Sequence, residues 1–270
     1  PQRLARIRRD SLSTTAITTW VRNAEPGFAL AGSSEPRNLA VTAIEAHNGN
    51  VYAATASSAA GTGFGGRIYR SVTSLVPWIQ VFSTATSGTA NEEAVVTLAL
   101  HNNILFAGTR NKTSGGSIWY SDTPTSEGAW THAAGSIGGF GLGAVAQEVS
   151  ALKEFSTDGF LYAGTAGTTA GRGQIWYSAA GSAWSQAVDA ATTFSANTYG
   201  VGAFAELNGW FYAGTLNPVS GAQLWRTQTP QSAASWAQVY SGDGAAWTKD
   251  TGRFSLATST GVTSMLGMGG

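Results

Sequence analysis

The sequence predicts an all-β protein, a five-bladed β-propeller built from four-stranded antiparallel blades. The first observation is a strand-like motif whose aromatic residue recurs at intervals of 54, 56 and 50 residues, at Tyr52, Phe106, Tyr162 and Tyr212. The second is a tryptophan that follows each copy, at Trp78, Trp130, Trp184 and Trp236. The third is that every unit has four short β-type runs separated by Gly, Asn and Ser, with no helical apolar stripe. A repeat of about 50 residues with four strands is typical of a propeller blade; a stacked β-solenoid is the competing interpretation.

The second and third runs of a unit are clearest in "FLYAGTAGTTAGRGQIWYS", residues 160–178. A nucleotide-binding loop needs a lysine and a hydroxyl residue directly before a helix, whereas "GRGQIWYS" leads into another strand. We therefore interpret these glycines as turn residues between strands. In "QIWYS", Ile175 and Tyr177 share one face and Trp176 lies on the other, which predicts a sheet buried on both sides by neighbouring blades.

The two ends of the chain predict one composite blade. "VTSMLGMGG", residues 262–270, has the hydrophobic pattern of the first-strand run "VTAIEAHNG", residues 41–49. "RIRRDSLSTTAITTW" near the N-terminus is similar to the third and fourth runs "RIYRSVTSLVPW", residues 67–78. Sharing a blade between the termini closes the ring and removes open sheet edges.

The resulting domain organisation is a single propeller over residues 1–270. The predicted blades are residues 39–90, 91–144, 145–198 and 199–255, with a composite blade from 1–30 plus 256–270. The composite blade has no counterpart of the "LYAGT" strand, so it is either three-stranded or completed by another chain or by a continuation past residue 270.

Composition narrows the classes of function. The chain has 15 basic and 15 acidic residues, so its formal net charge is zero and gives no reason to expect nucleic acid as a partner. It has no cysteine, which excludes disulfides and thiolate catalysis. We find no apolar run long enough for a membrane span and no secretory signal pattern. The expected location is a virion, or otherwise the extracellular space or a cell surface.

Candidate catalytic and metal-binding residues are few. Glu92, Glu93 and Glu148 precede the first strands of adjacent blades, an arrangement that could bring two carboxylates together near the axis, as acid/base hydrolysis requires. Solvated loop charges are the interpretation we favour. The three histidines are His47 in the first predicted blade and His101 and His132 in the second, and their positions give no reason to expect that they converge with carboxylates. We therefore predict no catalytic residue, no metal site and no cofactor.

Binding is predicted in the loops that differ between blades, because variable loops on a constant frame usually carry recognition. The candidate ligand-binding residues are Phe64, Asn111, Lys112, Arg172, Asn217, Trp210, Trp247 and Tyr199. By contrast, the aromatics that recur in phase (Tyr69, Trp119, Trp176 and Trp225) are predicted to pack one blade against the next.

Three resemblances bear on function. The turn between the third and fourth strands resembles the Asp-box of BNR propellers, Ser-x-Asp-x-Gly-x-x-Trp, through Ser178, Gly181 and Trp184. Ala180 stands where the acid is expected and the spacing is one residue short. Sialidases of that superfamily use an arginine triad and a Tyr/Glu pair, whereas the arginines here are few and fall on repeat or outer positions, so we do not carry over their activity. The blade number and size resemble tachylectin-type lectins, which implies glycan sites between blades. The N-terminal "RIRRDS…W…EPGF" resembles the opening of phage tail-fibre proteins and implies a virion protein.

From these observations we expect a non-catalytic binding or structural propeller, a virion or tail-associated protein that contacts host surface glycans or other virion subunits. A second copy or another chain would complete the last blade. A free lectin with sites between blades is the first alternative, and a glycan hydrolase or lyase is the second.

Overall fold

A computed structural model describes residues 38–57, 65–72, 77–86, 92–133, 146–241 and 260–265 of the 270-residue chain. The predicted composite blade, residues 1–30 plus 256–270, lies outside the described residues except for 260–265, and so do two predicted site residues, Phe64 and Trp247. No helix within the described ranges is long and apolar enough to cross a membrane.

The described part of the chain consists of sixteen strands in one connected sheet. The first group is β1 (Asn38–His47), β2 (Asn50–Ser57), β3 (Arg67–Val72) and β4 (Ile79–Ser83). The second is β5 (Ala94–His101), β6 (Ile104–Arg110), β7 (Ile118–Ser121) and β8 (Thr131–His132). The third is β9 (Glu148–Phe155), β10 (Phe160–Ala166), β11 (Gln174–Ser178) and β12 (Ser185–Asp189). The fourth is β13 (Gly200–Leu207), β14 (Trp210–Leu216), β15 (Gln223–Thr227) and β16 (Ala237–Ser241).

Within each group the strands pair antiparallel in chain order, so each group is one four-stranded blade. The first strands of neighbouring blades contact one another, which makes them the innermost strands. Within the described residues, helical structure is limited to the α-helical turn Ala190–Thr193 and to short 3-10 turns. The fold is a β-propeller, as the sequence predicts.

Tight hairpins join the first and second strands of a blade. Asn48 and Gly49 have φ angles of 48° and 74°, and Asn208 and Gly209 have 51° and 71°. Two successive residues with positive φ define the type I′ turn, whose twist matches that of the strands beside it. The Asn-Gly pairs of the sequence are therefore the reason that these strands return directly along their neighbours.

Each blade is joined to the next by one antiparallel pair between the end of a second strand and the start of the following first strand. The pairs are Ala56↔Ala94, Arg110↔Glu148, Ala166↔Gly200 and Leu216↔Gly261. The fourth pair places residues 260–265 where the first strand of a further blade belongs. This position agrees with the predicted first-strand character of the C-terminal segment.

The recurring Ala-Gly-Thr motif explains how closely the blades approach. A Cβ atom built on Gly164 would lie 2.9 Å from the carbonyl oxygen of Val201, and one on Gly214 would lie 2.5 Å from Cβ of Val262. Val201 belongs to the first strand of the fourth blade, and Val262 follows Gly261, which pairs with Leu216. Glycine is required at these positions because the carbonyl and side chain of Val201, and the side chain of Val262, occupy the space of a Cβ atom.

The threonine of the motif connects the second and third strands of the same blade. The Thr165 hydroxyl accepts a hydrogen bond from the Gln174 amide at 3.0 Å and donates to the Arg172 carbonyl at 3.2 Å. The motif threonines are fully buried in all four blades, at Thr55, Thr109, Thr165 and Thr215. The glycine-rich loop after this motif is thus a connection between two blade strands.

Three hydrophobic cores fill the spaces between the four blades. Trp119 of the second blade lies 5.3 Å from Phe82 of the first, measured between ring centroids. Trp225 of the fourth blade stacks on Phe194, which follows the third, at 4.8 Å. These two of the in-phase aromatics therefore pack blade against blade, as predicted from their spacing.

Candidate functional site

The residues directly before β5, β9 and β13, and Thr260 before the Leu216–Gly261 pair, are held in the same way. In each case the backbone carbonyl accepts a hydrogen bond, at 2.7–3.0 Å, from an amide at the end of the preceding blade's second strand or one residue after it. The four accepting residues are Glu93, Gln147, Tyr199 and Thr260. We call these four the mouth positions, because they stand at one end of the innermost strands. Their backbones are equivalent, whereas their side chains are an acid, an amide, a phenol and a hydroxyl. The mouth of the propeller is therefore chemically asymmetric.

Charged side chains meet at the mouth between the second and third blades. Nε of Arg110 lies 3.3 Å from Oε2 of Glu93, and its Nη1 lies 3.7 Å from Oε2 of Glu148. Nζ of Lys112 lies 3.1 Å from the same Glu93 oxygen. We call these four residues the ionic cluster. It holds two carboxylates from adjacent blades on one guanidinium group.

The two carboxylates have different surroundings. Burial raises the pKa of Glu148, and the nearby Glu93 acts in the same direction, while Arg110 and Lys112 act in the opposite direction. Glu93 is paired with both cations of the cluster. Two carboxyl groups with unequal environments are the usual basis for dividing the roles of acid and base between them.

Glu92 lies next to the cluster but belongs to the frame. Its side chain is 2% exposed, and Oε1 accepts a hydrogen bond from the Thr109 hydroxyl at 2.8 Å. In the first blade Asn38 has the same position and accepts from Thr55 at 2.8 Å. The Glu92 carboxylate therefore accepts the same threonine hydrogen bond that an asparagine amide accepts in the first blade, so its role is structural.

Arg110 is the functional candidate that sequence reasoning missed. It occupies the position that ends every second strand, where the other blades have Ala56, Ala166 and Leu216. A charged residue at an otherwise apolar repeat position was the available signal. Its two partners become evident only from the pairing of Arg110 with Glu148 across the blades.

The predicted residues Asn111 and Asn217 lie in equivalent loops on the mouth side and are buried, at 2% and 0% exposure. The side-chain oxygen of Asn111 accepts hydrogen bonds from the amides of Thr113 and Ser114, at 3.0 and 2.9 Å. Asn217 bonds its own loop in the same way. Both amides shape these loops, and ligand contact by them stays a prediction.

The other predicted residues are spread over the molecule. Lys112 and Tyr199 lie at the mouth, and Arg172 lies in a loop on the same side, where Nε donates to the Thr169 hydroxyl at 3.0 Å. Trp210 lies at the opposite end of its blade, directly after a hairpin turn, with the Arg226 guanidinium 4.3 Å from its ring centre. The structure therefore brings Lys112 and Tyr199 to the mouth and separates Trp210 from them.

The histidines have separate surroundings. His101 is 1% exposed and joins two blades, with Nδ1 at 2.9 Å from Oε2 of Glu154 and Nε2 at 2.8 Å from the Ala179 carbonyl. Burial lowers the pKa of His132, whose ring lies 4.8 Å from that of Trp119. Over the described ranges, no group of His, Asp and Glu side chains is arranged to hold a metal ion.

No protein-family model matches the chain, and no curated protein is similar to it in sequence. The similar solved structures include an α-L-arabinofuranosidase of glycoside hydrolase family 43 from Clostridium thermocellum, 12% identical, with a TM-score of 0.48 over 74% of this chain and 71% of that one. Another is a GH43_1 enzyme from Xanthomonas citri, 10% identical, with a TM-score of 0.48 over 74% and 73%. A third is an exo-β-1,3-galactanase from Clostridium thermocellum, 13% identical, with a TM-score of 0.45 over 74% and 47%.

These structures belong to a family of five-bladed β-propellers, and the similarity concerns the fold. They contradict our expectation of a non-catalytic virion or tail-associated protein, because all three are glycoside hydrolases. That expectation is corrected here. The three similar structures named above include no Asp-box or tail-fibre protein. The physical reason for the error is that the acidic side chains were interpreted one by one as solvated, without the guanidinium that joins two of them.

Proposed function

We propose that the chain is a glycoside hydrolase whose catalytic carboxyl groups are Glu93 and Glu148. The observation that supports this function is that two carboxylates from adjacent blades lie within 4 Å of one guanidinium group, at 3.3 and 3.7 Å, at the mouth of the propeller. Hydrolysis of a glycosidic bond requires two carboxyl groups about 5–9.5 Å apart, one protonated and one ionised. The Arg110 guanidinium contacts both carboxyl groups and so holds them close to each other.

Glu148 is the proposed general acid. Burial raises the pKa of its carboxyl group, which keeps a proton available at a higher pH than for an ordinary glutamic acid. The proton passes to the glycosidic oxygen as the bond from that oxygen to the anomeric carbon breaks. The leaving sugar departs as an alcohol, and Glu148 becomes a carboxylate that the Arg110 guanidinium stabilises.

Glu93 is the proposed partner carboxylate. Its carboxylate is paired with Arg110 and Lys112, and in this role it activates water or attacks the anomeric carbon. In either mechanism one water molecule is consumed and its hydroxyl adds to the anomeric carbon. With retention the remaining proton of the water returns to Glu148; with inversion it passes to Glu93, and exchange with solvent then deprotonates Glu93 and reprotonates Glu148. The distance between the two carboxyl groups with substrate bound decides between inversion and retention of configuration.

The test is hydrolysis of a panel of p-nitrophenyl glycosides of pentoses and hexoses, in furanose and pyranose forms, by the purified chain. We expect Glu148→Gln and Glu93→Gln each to lower kcat on a cleaved glycoside by about 10²–10⁴, the usual contribution of a positioned acid or base. The matched control is Asp122→Asn, which makes the same charge change at an exposed site. Lack of cleavage of every glycoside, or unchanged kcat in both glutamine variants, would refute the proposal.

A further inference from the structure

Tyr199 occupies the mouth position of the fourth blade that Glu93 occupies in the second. Its amide donates to the Leu216 carbonyl at 2.8 Å, as the amide of Glu93 donates to the Arg110 carbonyl at 2.8 Å. The two backbones are therefore fixed in the same way at the same end of the innermost strands. Only the third blade, with Gln147 and Glu148 at its mouth, lies between them.

The side chain of Tyr199 has no part in the packing seen at comparable aromatics. It is half-buried, and within the described ranges neither its ring nor its hydroxyl makes an aromatic contact or a hydrogen bond. By comparison, Trp225 in the same blade is 9% exposed, stacks on Phe194 and donates to Gln223. The fold therefore uses the backbone of Tyr199 and leaves its ring accessible.

The loop beside Tyr199 adds apolar surface. The side-chain amide of Asn197 donates to the Ser220 hydroxyl at 2.9 Å, which ties the chain before Tyr199 to the loop that carries Val219. Val219 is 64% exposed. In its loop the Asn217 side chain accepts a hydrogen bond from the Ser220 amide, as Asn111 accepts one from the Ser114 amide in the loop that carries Lys112. The Lys112 side chain is 56% exposed. One loop carries a cation that pairs with Glu93, and its counterpart carries an exposed apolar side chain.

We propose that Tyr199 is a substrate-contacting residue whose ring stacks on a neutral sugar unit adjoining the bond that is cleaved, with Val219 extending the apolar surface. This inference rests on the proposed function. The flat C–H face of a sugar is apolar and fits an accessible tyrosine ring, while its hydroxyl groups remain free to bond the polar side of the mouth. The ionic cluster thus performs the chemistry, and the Tyr199 side of the mouth holds the sugar.

The first arm of the test is kinetic. Tyr199→Ala is expected to raise KM about tenfold on the aryl glycoside that the unmodified chain cleaves, with kcat changed much less. Tyr199→Phe keeps the stacking ring, and its KM is expected to remain near that of the unmodified chain. Circular dichroism and the melting temperature of each variant exclude unfolding as the cause, and Tyr199→Leu replaces the alanine variant if the latter does not fold.

The second arm measures binding without turnover. The inactive Glu148→Gln variant is titrated by calorimetry with the neutral oligosaccharide that binds it most tightly on an array, alone and in combination with Tyr199→Ala. Loss of about tenfold in affinity supports the inference. If Glu148→Gln abolishes hydrolysis while Tyr199→Ala leaves KM and affinity unchanged, Tyr199 is not a substrate contact but the proposed active site stands. If Glu148→Gln remains active, the proposed function fails and the inference fails with it.

Discussion

The close approach of neighbouring blades makes a quantitative prediction for Gly164→Ala. The new Cβ would lie 2.9 Å from the Val201 carbonyl oxygen and 3.1 Å from its Cβ, and neither atom can move without shifting the first strand of the fourth blade. Overpacking of this kind costs about 1–3 kcal/mol. Alanine recovers about 0.5–1 kcal/mol because it restricts the unfolded chain more than glycine does. The steric cost is the larger effect, and we expect a net loss of about 0.5–2 kcal/mol.

Thermal or urea unfolding followed by far-UV circular dichroism measures this loss. A domain of 150–250 residues loses roughly 2–4 °C of melting temperature per kcal/mol, so Gly164→Ala should melt roughly 1–8 °C lower. The matched control is Gly128→Ala, because no atom lies within 4 Å of the Cβ built there. The control should melt at the same or a higher temperature. If the two variants are equally stable, the blades do not approach as described and the reasoning is wrong.

Two further predictions concern the buried and the paired carboxyl groups. Thr109→Val and Thr165→Val each remove the hydroxyl that joins the second and third strands of a blade, but only Thr109 also donates a hydrogen bond to Glu92. In urea titrations Thr109→Val should therefore lower the free energy of unfolding by about 1–3 kcal/mol more than Thr165→Val does. Equal losses would contradict a stabilising role for the bond to Glu92. For Glu148, a pKa raised by burial stabilises the fold at pH below its ordinary value, and this stabilisation is lost as the pH rises through the raised pKa. As the pH rises through this window, the unmodified chain should lose stability and Glu148→Gln should not, so the melting temperature of the variant minus that of the unmodified chain should increase. A difference that stays constant with pH would count against the raised pKa.

The repeat and its turns were predictable because they are local. Alternation, Asn-Gly pairs and the spacing of the Ala-Gly-Thr motif identify four blades and their first two strands without any tertiary information. The glycine of the motif was interpreted as a turn residue, whereas Gly164 lies inside a strand and is required by the next blade. The sequence contains no local sign of that contact, since Val201 is 37 residues away.

The site was less predictable for the same reason. Glu93, Arg110 and Glu148 are brought together by pairing between blades, which depends on how whole blades pack rather than on any short pattern. The equivalence of Asn111 and Asn217 was present in the sequence, in "RNKTSGG" and "LNPVSGA". Both asparagines stand one residue after the second strand and form the same turn. Because the two asparagines share this position, the sequence predicts that they stabilise their loops, and this is a better-founded prediction than ligand contact.

The way the blades are joined explains why chemistry can vary at the mouth. At Glu93 and Tyr199 the fold uses the backbone amide and carbonyl, and these bonds are equivalent in the two blades. Because these backbone bonds do not depend on the side chain, the side chains at the two positions can differ between blades, and that of Glu93 pairs with Arg110 and Lys112. The Ala-Gly-Thr motif is the opposite case, because Gly164 and Thr165 are constrained by contacts of their own. Substitutions at the mouth should therefore change activity more than stability, and substitutions in the motif should change stability first.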